Sequence, residues 1–169
     1  AHAARLELLD RRRIDDGLAR TGHTLVPLVW ELARVVGEPH GGWVHWGATT
    51  QNITQTGDLL VLRQAHGIFL RQIHEILAAM ADLAERGADM PIAARTHGQH
   101  ALPATFGFKV AVWIDELLRH VERFRQAAPR LFVAMLGGGA GTFASLGAQG
   151  PAVQAGIARH LGMTPMNIP

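Results

Sequence analysis

The 169-residue sequence contains no cysteine and no tyrosine. Without cysteine, a disulfide framework and thiolate catalysis are excluded. Cysteine and tyrosine are the side chains whose pKa values lie between that of histidine and those of lysine and arginine. Because the chain has neither, a net charge of only +2 is enough to give an isoelectric point of 10.3. The high isoelectric point therefore does not indicate a nucleic-acid partner, and we predict none.

Long apolar runs are also missing, and no segment has the pattern of a signal peptide or a membrane span. The composition, with 48% hydrophobic and 18% charged residues, is typical of a folded globular protein. Arginines 11–13 alternate with acidic residues in the pattern of a solvated helix face. We therefore expect a soluble, cytoplasmic protein with no membrane association.

Helical periodicity dominates the rest of the chain. Apolar residues spaced by three and four predict a short helix over residues 25–35 and two long helices, one through residues 59–83 and one through 106–124. Pro103 is placed in the first turn of the second long helix, which should end before Pro129. Two helices of about 25 residues, joined by a loop, would form an antiparallel pair. The predicted fold class is all-α, a long-helix bundle.

The region after the second long helix contains a glycine-rich stretch and a short helix at residues 151–161 that ends at Gly162. The stretch GGGAGT, residues 137–142, lacks the lysine of a phosphate-binding loop, which favours a flexible turn. We divide the chain into residues 1–49, a helical region with an active-site loop, and residues 50–169, the first part of a central bundle.

Two segments collect residues that suit chemistry on an anion. In HWGATTQN, residues 45–52, Thr49 and Thr50 fall where the first long helix should begin, and either could cap it or bind a carboxylate. In ARTHGQHALPATFGFK, residues 94–109, His97 and His100 could share a helix face. A metal site there is disfavoured because further ligands are lacking.

Three blocks together resemble the fumarase/aspartase superfamily: VHWGATTQNITQT, then ARTHGQHALPATFGFKVAVW with LLRHVERF, then GGGAGTFASLG. Within it the chain is most similar to the branch of 3-carboxy-cis,cis-muconate cycloisomerase and adenylosuccinate lyase. The resemblance implies a mostly helical homotetramer that needs no cofactor or metal. It also implies general acid-base elimination or cycloisomerisation of a small carboxylate substrate.

The resemblance assigns roles by motif. His97 resembles the general acid that protonates the leaving group, and His45 resembles a second histidine that supports substrate or acid. The remaining site residues are implied to bind substrate: Thr49, Thr50, Thr96, Gln99, Lys109 and Arg95. His100 is placed outside the site. Lys109 is the single lysine of the chain, and a compact ammonium there would pair with a carboxylate.

Two departures from the superfamily pattern stand out. Asn52 and Gln55 occupy positions where aspartate is common, and the mobile loop that brings the catalytic serine base is missing. The chain thus resembles the N-terminal part of a longer enzyme, and we expect no turnover by this chain alone. A catalytically inert helical module that oligomerises is the alternative. Anion binding without chemistry at Thr49, Thr50, Arg95 and Lys109 is a third reading.

Overall fold

The structure, a computed structural model, describes residues 4–169. Five helices carry most of the described chain: α1 (Arg11–Thr21), α2 (Val26–Val36), α3 (Thr50–Arg86), α4 (Phe106–Leu131) and α5 (Gly150–Leu161). Four strands form two small sheets: β1 (Pro91–Thr96) with β2 (Gln99–Thr105), and β3 (Val133–Ala134) with β4 (Thr164–Pro165). Short 3₁₀ turns lie at Leu6–Leu8, Gly41–Trp43 and Gly147–Gln149. None of the described helices combines the length and the hydropathy needed to cross a membrane.

The chain divides into two compact units. The first contains residues 1–56 and 134–169, and the second contains residues 57–133. Helix α3 contributes its first two turns to the first unit and its remainder to the second. The earlier division at residues 49 and 50 coincides with the start of α3 and stays a prediction for the intact protein.

Helices α1 and α2 of the first unit are joined through a buried carboxylate. Asp10 caps α1 by accepting a hydrogen bond from the N–H of Arg12 at 2.9 Å. The N–H of Asp10 donates to Glu31 Oε1 of α2 at 2.8 Å, and Arg34 Nε donates to Glu31 Oε2 at 2.9 Å. Helix α2 ends before Gly37, as the periodicity predicted. One glutamate therefore connects the start of α1 to the neighbouring helix.

Helices α3 and α4 of the second unit run antiparallel, as predicted. Near the end of α3 the carbonyl of Gly87 accepts a hydrogen bond from the N–H of Gly107, at the start of α4, at 2.8 Å. In the middle of α3, His66 Nε2 donates to the carbonyl of Phe124, far along α4, at 3.1 Å. The His66 ring also lies 5.2 Å from the ring of Phe132. The end of one helix thus faces the start of the other.

The connection between the two long helices is a β-hairpin and not the loop that was predicted. Strands β1 and β2 pair from Pro91 with Thr105 to Thr96 with Gln99, with one register shift after Ala94. His97 and Gly98 form the turn, and both have positive φ, at 50° and 74°. Such a pair matches the right-handed twist of a hairpin. The suggested helix face shared by His97 and His100 was therefore wrong.

The second long helix begins and ends at other residues than predicted, whereas α3 begins at Thr50, where it was expected. Helix α3 has 37 residues and α4 has 26. Pro103 lies in β2, and α4 begins after Thr105, whose hydroxyl accepts a hydrogen bond from the N–H of Phe108 at 3.2 Å. Pro129 lies inside the last turn of α4. The threonine cap, which was overlooked, sets the start of the helix.

The glycine-rich stretch is held in place and is not a free turn. The N–H groups of Gly137 and Gly138 point to Asn52 Oδ1, and the N–H of Met135 donates to Thr56 Oγ1 at 3.1 Å. Helix α5 ends before Gly162, whose φ is 61°. The first two amides of the stretch, those of Gly137 and Gly138, are thus used within the protein.

Candidate functional site

The residues predicted for the site fall into two groups, one in each compact unit. His45, Thr49 and Thr50 lie in the first unit. The other five lie in the second unit: Arg95, Thr96, His97 and Gln99 at the tip of the β1–β2 hairpin, and Lys109 in α4. Each group is described by itself.

His45 lies in the segment that precedes α3 and has a left-handed backbone, with φ at 67°. Its carbonyl accepts a hydrogen bond from the N–H of Ala48 at 3.1 Å, which closes a tight turn. Its side chain is half-buried, and Nδ1 has no hydrogen-bond partner among residues 4–169. The ring borders a cleft of about 560 Å³ that His40 and Trp43 also line. His45 therefore borders a cleft, and its Nδ1 is buried without a hydrogen-bond partner in the described part of the chain.

Thr50, the first residue of α3, contacts a histidine that sequence reasoning missed. Nδ1 of His23 accepts hydrogen bonds from the N–H groups of Leu25 and Val26, at 3.2 and 3.3 Å. The proton of the neutral imidazole is therefore on Nε2, which lies 3.3 Å from Thr50 Oγ1. In that state His23 donates to the threonine oxygen, and the hydroxyl hydrogen of Thr50 stays available for a ligand.

No sequence motif singled out His23. The signal that was present is its place two residues before the N-cap of α2, where an imidazole nitrogen can accept from the free N–H groups at the start of a helix. That position explains the orientation of the ring but does not reveal its contact with Thr50. The separation of 27 residues between the two side chains is closed only by the fold.

His97 occupies the first position of the hairpin turn and is exposed. Thr96 and Gln99 flank it as directly opposed residues of β1 and β2. Histidine tolerates positive φ better than most residues, and Gly98 takes the second turn position. The hairpin thus projects an imidazole, a hydroxyl and an amide from one tip.

Arg95 and Lys109 supply positive charge in the same unit. Both line a cleft of about 420 Å³ between the hairpin and α4, together with the apolar side chains of Phe108 and Trp113. Arg95 Nη2 donates to Nε2 of His100 at 3.4 Å, which links His100 to a site residue. The Lys109 ammonium lies 5.7 Å from the centre of the Trp113 ring, a cation–π distance. The two cations suit a ligand carboxylate.

Among residues 4–169, no three histidine or carboxylate side chains lie close enough to hold a metal ion. The group in the first unit offers an imidazole and two hydroxyls, and the group in the second unit offers an imidazole, a hydroxyl, an amide and two cations. Such groups can bind carboxylates and transfer protons near neutral pH.

Comparison with known proteins identifies the family. A family model described as Lyase matches residues 18–168. The chain belongs to this lyase family. The resemblance to the fumarase/aspartase superfamily that the motifs indicated is thereby confirmed, as is the branch of cycloisomerases and adenylosuccinate lyases.

Three curated relatives represent different named activities. The chain is 38% identical over 91% of its length to N-acetyl-S-(2-succino)cysteine lyase of Enterococcus italicus, and covers 34% of that protein. It is 40% identical over 95% of its length to 3-carboxy-cis,cis-muconate cycloisomerase of Pseudomonas aeruginosa, covering 36% of it. With adenylosuccinate lyase of Pyrococcus abyssi it shares 35% identity over 92% of its length, covering 34%.

Among solved structures, fumarate lyase from Mesorhizobium sp. BNC1 matches with a TM-score of 0.87 and 41% identity. The match covers 94% of this chain and 37% of that one. The helical-bundle fold class is thereby confirmed. The chain spans about a third of the length of the curated relatives it matches.

Proposed function

We propose that the intact protein containing this chain is a lyase or cycloisomerase that acts on a small carboxylate substrate by general acid-base chemistry. The family supports this class of reaction, and the named activities of the three relatives all concern molecules that carry carboxylates. The proposal makes the residues of this chain part of an active site that needs no cofactor.

One observation carries the proposal. Three non-glycine residues in the described chain have positive φ, and two of them are His45 and His97, the histidines that the motifs marked as catalytic. Backbone conformations of this kind are uncommon for residues other than glycine and recur at functional sites. The uncommon backbone geometry thus falls on the two histidines whose chemistry the proposed reaction needs.

In the proposed reaction a base removes the proton next to a substrate carboxylate while the bond to the leaving group breaks. His97 donates a proton to the departing heteroatom, and His45 supports the substrate or the acid. Negative charge that develops on the carboxylate is stabilised by nearby donors. Those donors are the hydroxyls of Thr49, Thr50 and Thr96, the amide of Gln99, and the cations Arg95 and Lys109.

The identity of the leaving group separates the candidate substrates. A lyase of the first relative's type releases a sulfur group, one of the adenylosuccinate type releases a nitrogen group, and a cycloisomerase forms or opens a ring. Assaying the intact protein with all three substrates distinguishes these chemistries. We expect turnover of one of the three and none by the 169-residue chain alone. We further propose that the protein acts as a cytoplasmic homotetramer.

The decisive variant is His97→Asn in the intact protein. Asparagine accepts positive φ in a hairpin turn but cannot carry a proton near neutral pH, so the fold is kept while the acid is removed. We expect kcat to fall by about 10² to 10⁴. Circular dichroism should show an unchanged helical content.

The matched control is His74→Ala. His74 is an exposed histidine of α3 whose Nδ1 donates to the carbonyl of Leu70. The His74→Ala variant should have the kcat and KM of the wild-type protein. An active His97→Asn variant would remove His97 from the role of acid, and loss of activity in both variants would point to a defect in folding.

A further inference from the structure

Asn52 lies in the first turn of α3 and is only 3% exposed. Its Oδ1 accepts hydrogen bonds from the backbone N–H groups of Thr49, Gly138 and Gly137, at 3.0, 3.1 and 3.5 Å. The Gly138 and Gly137 donors lie more than eighty residues away along the chain. One side-chain oxygen therefore ties the start of α3 to the glycine-rich stretch.

Thr49 is fixed from both sides by the same residue. Its N–H donates to Asn52 Oδ1, and its carbonyl accepts a hydrogen bond from the N–H of Asn52 at 3.0 Å. This reciprocal pairing across three residues resembles one half of a capping box, in which the third helical residue reaches back to the residue before the helix. The backbone that carries the Thr49 and Thr50 hydroxyls is thereby held in one conformation.

The oxygen of Asn52 is the only feature of this side chain that the three donors require. A carboxylate oxygen at the same position would accept the same hydrogen bonds, whereas a leucine of similar size would accept none. Loss of the oxygen would leave the three N–H groups buried or half-buried without this acceptor, which favours opening of the glycine-rich stretch. Substitution by aspartate or by leucine therefore distinguishes the role of the acceptor oxygen of Asn52 from the role of its side-chain volume.

We propose that Asn52 is a positioning residue for substrate binding. Its amide oxygen fixes the Thr49–Thr50 backbone against the glycine-rich stretch, so that the two hydroxyls meet the substrate carboxylate in a set geometry. The inference rests on the proposed function, because the threonines bind substrate only if the intact protein is the proposed enzyme. Asn52 itself touches no substrate and acts through Thr49 and Thr50.

The test compares Asn52→Leu and Asn52→Asp in the intact protein. Amide hydrogen exchange, measured without substrate, should speed up about tenfold at Thr49, Gly137 and Gly138 in Asn52→Leu and stay near the wild-type rate in Asn52→Asp. Steady-state kinetics should show KM raised about tenfold in Asn52→Leu, the equivalent of one lost hydrogen bond, with a smaller change in kcat. Asn52→Asp should restore KM to within about threefold of wild type.

Gln72→Leu is the matched control, because Gln72 is an exposed amide on the same helix. It should change neither the exchange of the three amides nor KM. If Asn52→Leu does not fold, Asn52→Ser replaces it, since the shorter hydroxyl cannot reach all three donors. Unchanged exchange at the three amides in these variants, or an unchanged KM, would overturn the proposal.

Failure of Asn52→Asp to restore both readouts would also overturn it. Amide exchange is measured without substrate and KM with it, so this inference and the proposed function can fail separately. A wild-type protein inactive on all three substrates defeats the proposed function, and the exchange data still decide whether Asn52 holds the two segments together.

Discussion

At the scale of single residues, the buried carboxylate of Glu31 links helices α1 and α2 through hydrogen bonds. It is 3% exposed and accepts hydrogen bonds from Arg34, from the N–H of Asp10 and from Arg13. The hydrogen bonds from Arg34, followed by that from Asp10, lower the pKa of Glu31 to about 2. Burial acts in the opposite direction. The ionised form is therefore the one that stabilises the fold.

The pH dependence of stability follows from the direction of that shift. Because the pKa is lower in the folded protein than in the unfolded chain, the contribution of Glu31 is complete above its unfolded value of 4.5 and is lost as the pH falls to about 2. Glu31→Gln removes the charge at every pH. We expect the variant to be less stable than wild type at pH 7 and the difference to shrink below pH 4.5.

Urea denaturation of both proteins between pH 3 and 7, within the reversible range, checks this prediction. The control is Glu122→Gln, a substitution on the exposed surface of α4, which should give a small difference in unfolding free energy at every pH. A difference between wild type and Glu31→Gln that is the same at pH 3 and pH 7 would contradict the role of the charge.

At the scale of elements, the junction between α3, the hairpin and α4 depends on a close backbone approach. A Cβ placed on Gly107 would overlap the carbonyl of Ala84 and lie 2.8 Å from the N–H nitrogen of Ala88. Both neighbours are backbone atoms, which cannot move aside as a flexible side chain can. Gly107 thus permits the first turn of α4 to pack against the end of α3.

Two glycine-to-alanine substitutions in these helices should have opposite effects. Gly107→Ala should lower the free energy of unfolding by about 1 to 3 kcal/mol, because the added methyl overpacks the junction. Gly57→Ala meets no atom within 4 Å and should raise it by about 0.5 to 1 kcal/mol, since alanine is the better helix former.

Chemical denaturation of the two variants beside wild type measures both effects. Gly57 lies within α3 and serves as the matched control for adding one methyl group to a helical glycine. A neutral or stabilising Gly107→Ala would show that the junction is looser than the structure indicates.

At the scale of the whole molecule, many large apolar side chains remain exposed on the long helices. On α4, Phe108 and Val112 are 68% and 53% exposed, and their spacing of four places them on one face. Val61, Phe69 and Ile76 are similarly exposed on α3. Exposed large apolar side chains in such number are typical of helices that pack against a partner. The chain is therefore predicted to self-associate.

Size-exclusion chromatography with light scattering tests self-association at micromolar concentration. Val112→Glu adds a charge to the apolar face of α4 and should shift the protein toward the monomer. Gln72→Glu adds the same charge at an exposed polar position of α3 and should shift it less. A wild-type chain that runs as a clean monomer would contradict the prediction.

Much of this architecture was predictable because helical periodicity is a local property. The apolar spacing of three and four through residues 59–83 reflects the turn of the helix itself, and α3 spans all of these residues. The end of α2 before Gly37 and of α5 before Gly162 followed from glycine at the C-terminal cap. The hairpin was missed because each of its strands contains a proline and two alanines, residue types that are depleted in strands.

The motifs by themselves selected His45, His97, the three threonines, Gln99, Arg95 and Lys109, because residue type and order along the chain are enough to match a family pattern. The sequence alone also determined the helical class and the absence of thiol chemistry, since periodicity and composition do not depend on distant contacts. Only the tertiary structure decided that His23 faces Thr50 and that Asn52 holds Gly137 and Gly138. Those hydrogen bonds join residues that are 27 and more than eighty positions apart, and such partners are set by packing and not by local spacing.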